Sequence, residues 1–153
     1  MAWVMYGKFL AGQLDSSSQP NAPIDLNAAS PPMHLLLIDS TNAPNKDTDE
    51  DMADAIAGST EVTGTNYARK VISSVTVTLN ASTDTVTVDG ADPSVYAQHG
   101  SGFSDARYAV LAIDDGADAS SPLVCYADLG ANKNSKSGSL TLQMSASGIF
   151  TVA

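Results

Sequence analysis

Strict alternation of apolar and polar positions marks two stretches, SSVTVTLN (73–80) and DTVTVDG (84–90). Val75, Val77 and Leu79 share one phase in the first; Val86 and Val88 share one in the second. Period two is the mark of a strand with one buried face, and the intervening NASTD supplies turn residues, so the pair predicts a β-hairpin. Three other segments are apolar runs bounded by turn residues: MHLLLIDS (33–40), ARYAVLAID (106–114) and PLVCYADL (122–129). Each predicts a strand, the first of them buried. A further strand is expected over Tyr67–Val71, after a polar turn punctuated by Gly64. GSLTLQMS (138–145) and GIFTVA (148–153), separated by a small Gly-containing turn, predict a last pair.

Helical signals are few. Trp3, Tyr6, Leu10 and Leu14 fall near helical spacing, which predicts a short amphipathic helix within residues 3–14. DSSSQPNAPIDLNAASPP (15–32) then reads as an exposed loop or extended arm. The elements together predict one mainly β domain, a β-sandwich or barrel-like fold of about seven or eight strands with one or two short helices. The expected organisation is an N-terminal helix and extended arm over residues 1–32 and a β-rich domain over 33–153. There is no internal repeat.

The acidic stretch APNKDTDEDMADAIAG (43–58) raises the question of a metal, because Asp47, Asp49 and Asp51 stand at the first, third and fifth positions of a calcium loop. Such a loop needs glycine at its sixth position and a bidentate Glu at its twelfth, and here those positions hold Met52 and Gly58. A capped helix start fits better. Thr48 is placed to be the N-cap, Asp49, Glu50 and Asp51 to occupy a first turn, and Met52, Ala55 and Ile56 to form the apolar stripe. Gly58 then ends the helix in a left-handed conformation. The second cluster, DDGAD (114–118), reads as turn chemistry between two strands, since glycine accepts the positive φ that such turns need.

Composition narrows function mainly by exclusion. At 153 residues the chain is long enough for one sizeable core, and 43% hydrophobic residues predict that it folds. Seventeen Asp and Glu against seven Lys and Arg leave a net charge of −10. That excludes nucleic acid and anionic membrane surfaces as expected partners. Cys125, the one cysteine, cannot form an internal disulfide, and its place in PLVCYADL predicts a buried, inert thiol. Neither His34 nor His99 carries a nucleophile signature. No phosphate-cradling loop, nucleophile elbow or Cys/His metal spacing occurs, and GSGF (100–103) reads as a loop. No enzyme activity, cofactor or metal is expected. The start of the chain lacks the pattern of a signal peptide, and no apolar run approaches the roughly 20 residues that span a bilayer, so synthesis and residence in a cytoplasm are expected.

Seven motifs then occur in a telling order: YGKFLAGQLD (6–15), LLLIDSTNAPNKDTDEDMADA (35–55), EVTGTNYARK (61–70), SVTVTLN with DTVTVDGAD, ARYAVLAID (106–114), SPLVCYADLG (121–130) and SGSLTLQMSASGIFTV (137–152). Their order resembles that in a widespread family of small tailed-bacteriophage virion proteins, over nearly the whole chain. The matching positions are Tyr6, Leu37, Asp39, Ser40, Pro44, Glu61, Gly64, Tyr67, Arg107, Tyr108, Leu123, Gly130, Gly148 and Ile149. Two features depart from the pattern: the link after the first helix is longer than usual, and YARK stands where a glycine pair often follows the tyrosine. The resemblance implies a non-enzymatic structural protein of the virion. The form favoured is a capsid decoration or cement protein on the outer surface of the major capsid protein lattice, near local threefold positions. Implied partners are the major capsid protein and copies of the chain itself, as a trimer or other homo-oligomer. The implied location is the virion surface, after synthesis in the host cytoplasm. A tail, neck or baseplate component is the alternative, and a calcium-dependent adhesion or carbohydrate-binding module a more distant one. Trp3, Tyr6, Phe9 and Leu10 are the candidate interface residues, because aromatic groups outside the strand pattern suit an anchor. The same helix could instead cover the open end of its own sheet. Arg107 is left between a pair with a buried Asp128 and a solvated strand position.

Overall fold

The three apolar runs become three strands of one sheet. In the computed structural model, which describes residues 2–14, 24–28 and 30–153, the elements in chain order are β1 (Val4–Met5), α1 (Gly7–Leu14), β2 (Met33–Ile38), α2 (Met52–Ala57), β3 (Lys70–Val71), β4 (Thr76–Asn80), β5 (Thr85–Asp89), β6 (Ala106–Ile113), β7 (Leu123–Lys133) and β8 (Phe150–Val152). They form two antiparallel sheets, one of five strands in the order β1-β7-β6-β2-β3 and one of three in the order β4-β5-β8. The fold is mainly β and sandwich-like, as the patterning predicts.

β2 pairs with β6 along its whole length, Leu35 opposite Leu111 and Leu37 opposite Ala109, and β6 pairs with β7. Residues directly opposite one another share a face. One face therefore carries Met33, Leu35, Leu37, Leu111 and Cys125; the other carries Leu36, Ile38, Val110 and Tyr126. Leu35 through Ile38 are all fully buried, so β2 is covered on both sides, which is why its sequence is a continuous run and not an alternation.

The hairpin forms where alternation places it, with Val77 opposite Val88 and Leu79 opposite Val86. β8 adds to β5 through Val86–Val152 and Val88–Phe150. One face of the small sheet is thus apolar, while Thr78, Thr87 and Thr151 line up on the other. Met5, Phe9, Leu10, Ile24 and Leu26 join its valines around a groove of about 330 Å³, so the N-terminal segment lies along the small sheet's apolar face.

Several expectations need correction. The first helix begins only at Gly7, because Val4 and Met5 are extended and pair with Tyr126 and Cys125 of β7. Docking that strand fixes the phase of the helix behind it. Tyr6, Phe9 and Gly12 turn inward, leaving Leu10 42% and Leu14 86% exposed. Tyr6 and Phe9 belong to the same core as β2, β6 and β7, so the N-terminal strand and helix pack onto the β-rich domain. Of the expected arm, residues 15–23 and 29 lie outside the described residues; Ile24 and Leu26 pack against the core.

The strand expected at 67–71 shrinks to Lys70–Val71, opposite Leu35 and His34. The strand expected at 138–145 is not part of either sheet. Among the described residues it makes one bridge, Leu140 to Tyr96, each N–H donating to the other's carbonyl at 3.0 Å. Inward-facing positions still alternate there, with Leu142 buried and Leu140 and Met144 packed against the core. Met144 gives its N–H to the Asp92 carboxylate at 2.6 Å instead of to a neighbouring strand.

Candidate functional site

The four candidate interface residues divide by burial. Tyr6 is fully enclosed and meets Tyr126 at 5.3 Å between ring centroids; burial and the nearby Asp49 charge push its hydroxyl pKa far up. Phe9 is buried beside it in the core. Trp3 is half-buried and packs against that core. Only Leu10 of the four faces outward, on the rim of the groove beside Val77. Tyr6 and Phe9 are thus closed into the chain's own core, and of the four candidates only Trp3 and Leu10 reach the surface.

The acidic stretch has a local use for each carboxylate. Asp51 is the N-cap of α2, its side chain accepting from the Asp54 N–H at 3.0 Å, and Asp54 in turn accepts from the Glu50 N–H at 3.0 Å. Asp49 accepts from the Asn45 N–H at 2.8 Å, Asp47 pairs with Lys46, and Glu50 pairs with Lys8 at 2.7 Å. The cap thus sits three residues later than Thr48, and Asp49 and Glu50 precede the helix instead of filling its first turn. Backbone bonds explain the shift. Met52 donates to the Ser121 carbonyl and Leu123 to the Glu50 carbonyl, which ties Glu50–Met52 to the start of β7 and sets the helix to begin at Met52. Gly58 closes α2 with φ −94°, so the expected left-handed ending does not occur. Among the described residues, no group of three His, Cys, Asp or Glu side chains is placed to hold a metal ion.

A charged cluster that sequence reasoning missed lies at the β2–β3 end of the large sheet. Arg69 donates to both oxygens of Glu61, from Nη2 at 2.7 Å and Nε at 3.0 Å, and to Asp118 at 2.6 Å. Asp114 approaches Arg69 at 3.7 Å and bonds His34 Nδ1 at 2.7 Å. Tyr67 donates to Glu61 at 2.7 Å and accepts the Leu37 N–H at 3.0 Å. The hydrogen bonds to Glu61 and Asp118 raise the Arg69 pKa further. Burial alone would raise the pKa of Asp114, but the His34 bond, the Gly116 N–H and the Arg69 charge outweigh it and hold the carboxyl below its ordinary value. Arg69 bridges the loop that carries Glu61 to the turn that carries Asp118, an arrangement that suits a clamp between segments. The cluster's members come from three separated segments, 34–37, 61–69 and 114–118, which only the fold brings together.

Arg107 resolves into a pair: Nε reaches one Asp128 oxygen at 2.7 Å and Nη2 the other at 2.9 Å. Asp128 is exposed, not buried, and also accepts the Gly130 N–H at 2.7 Å. Cys125 is wholly buried, and desolvation raises its thiol pKa well above the ordinary range, so it is protonated and inert. No described helix is long and apolar enough to cross a membrane.

The margin of the small sheet is open to solvent. Every residue of β4 is exposed, with Val77 at 45% and Leu79 at 66%. Compared with known proteins, the chain matches no family model, no curated protein and no solved structure.

Proposed function

We propose that the chain is a non-enzymatic structural protein of a tailed-bacteriophage virion, a decoration or cement protein that binds the outer face of the major capsid protein lattice and stabilises the head. The observation that carries the reading is what the residues behind the resemblance do. Asp39 closes a turn by accepting from the Thr41 and Thr60 N–H groups. Glu61 and Tyr67 tie a loop to β2. A Cβ on Gly64 would stand 2.5 Å from the backbone of Gly102 and Phe103, and one on Gly148 would meet Thr87 and the Val88 carbonyl. Each of these residues shapes a turn or a close approach of backbone, which supports a reading in which the resemblance reflects a scaffold. A scaffold of this size acts by its surface, and an ordered shell offers that surface many repeats, so that modest contacts add up through effective concentration.

The test is reconstitution. Purified chain is added to heads of the phage that encodes it, stripped of or lacking the protein, and bound chain is measured after sedimentation together with the temperature at which the heads release DNA. Saturable binding with a raised release temperature supports the reading. Heads that neither bind the chain nor gain resistance overturn it.

A further inference from the structure

We infer that the free edge of β4 is a self-pairing surface, where a second copy of this chain adds its own β4 antiparallel and joins two three-stranded sheets into one of six strands. The edge has the features of a pairing strand and none of the usual guards. β4 is five residues long, lies at the margin of its sheet with only β5 beside it among the described residues, and is exposed throughout. Natural edges are blunted by shortness, charge, proline or a bulge. The large sheet follows that rule, since both its edge strands are two residues long and β3 carries Lys70. β4, with the sequence TVTLN, has no charge and no proline, and it runs in unbroken register from Thr76–Asp89 to Asn80–Thr85.

Charge selects the partner. The chain carries a net −10, yet residues 70–83 hold no carboxylate. Two copies therefore approach along this strand without carboxylate facing carboxylate. A basic partner would find no charge to pair with along this strand. A neutral strand of matching alternation fits, and β4 is such a strand. Pairing about a twofold axis through Thr78 places Thr78 opposite its own copy, Val77 opposite Leu79, and Thr76 opposite Asn80. The apolar faces then lie on the same side, and Val77 and Leu79 cover one another across the junction. A twofold contact of this kind is closed and does not propagate into fibres. The inference stands on the edge itself and does not depend on the virion reading.

The experiment uses the full chain. Sedimentation equilibrium across a concentration series is expected to show a species of twice 15.7 kDa. Val77→Lys with Leu79→Lys, both at exposed positions, is expected to weaken the dimer at least tenfold while the melting transition stays cooperative. Register is tested separately: Thr78→Cys is expected to give an interchain disulfide on mild oxidation. Thr76→Cys is expected to cross-link with Asn80→Cys in a mixture but not with itself. Cys125 is buried and supplies the unreactive background. A wild-type chain that stays monomeric, or a dimer that ignores the lysines and does not cross-link at position 78, overturns the inference. Should the lysine variant fail to fold, the cysteine pattern decides alone.

Discussion

Tyr67 holds Glu61 and Leu37 with one oxygen: its hydroxyl donates to the Glu61 carboxylate at 2.7 Å and accepts the Leu37 N–H at 3.0 Å. The ring stacks on Tyr96 at 5.8 Å and meets Phe103 edge-on at 5.7 Å. Tyr67→Phe keeps the ring and removes the oxygen. It leaves the N–H of a fully buried strand residue without its partner, a loss worth about 1–3 kcal/mol. Denaturant unfolding should show a lower midpoint with an unchanged slope. An unchanged midpoint would mean that water replaces the hydroxyl at no cost.

The acidic stretch makes a paired prediction. Asp51→Ala removes the cap of α2 and should cost about 1 kcal/mol, whereas Thr48→Ala should cost little. Because these carboxylates already hold N–H groups and lysines, the melting temperature should be the same with calcium as with a chelator. Equal losses from the two alanine variants would contradict the placement of the cap, and a calcium-dependent rise would contradict the local use of the acids.

Acid sensitivity follows from Asp114 and Asp39, both held below the ordinary value of 3.8. Burial opposes the shift at each; His34, the Gly116 N–H and Arg69 at the first, and the Thr41 and Thr60 N–H groups at the second, reverse it. A carboxyl depressed on folding stabilises the native state at pH above its unfolded pKa, and that contribution disappears as pH falls through the folded value. Melting temperature should therefore hold between neutrality and about pH 5 and fall below about pH 4. Asp114→Asn should lower it at neutral pH and flatten the acid slope. A variant with the wild-type slope would remove Asp114 from the cause.

Phe9→Ala tests whether the N-terminal segment belongs to the domain. Phe9 is buried in the main core, so truncation should cost about 3–5 kcal/mol, while Leu10→Ala at an exposed site should cost under about 1. The same logic makes deletion of residues 1–14 destabilising, since it takes away β1 and both buried rings. A deletion variant that melts like the whole chain would return these residues to the role of a separable arm.

How much of this could be read beforehand depended on whether neighbours in sequence are also neighbours in energy. Met33–Ile38, Ala106–Ile113 and the 76–89 hairpin were legible because burial writes itself directly into their apolar patterns. β1 was not, since two residues carry no period and Val4–Met5 are extended only because β7 lies beside them. Leu140–Met144 shows the reverse: the alternation is real, but it reports which side chains point inward, not whether a ladder forms. Tyr96 and Phe103, both buried, sit in a run of small and polar residues that reads as loop; two isolated aromatics there were the available signal. The Arg107–Asp128 pair was within reach because facing strands carry it. The Arg69 cluster was not, because Asp114 and Asp118 reach it only through the fold.

Copy number in the purified particle tests the central claim most directly. Under the proposed decoration role, quantitative mass spectrometry of the encoding phage's virions, scaled to the major capsid protein, should give hundreds of copies per particle. Six or twelve copies would move the protein to the tail axis, and none would remove it from the virion; either result contradicts a decoration protein of the head.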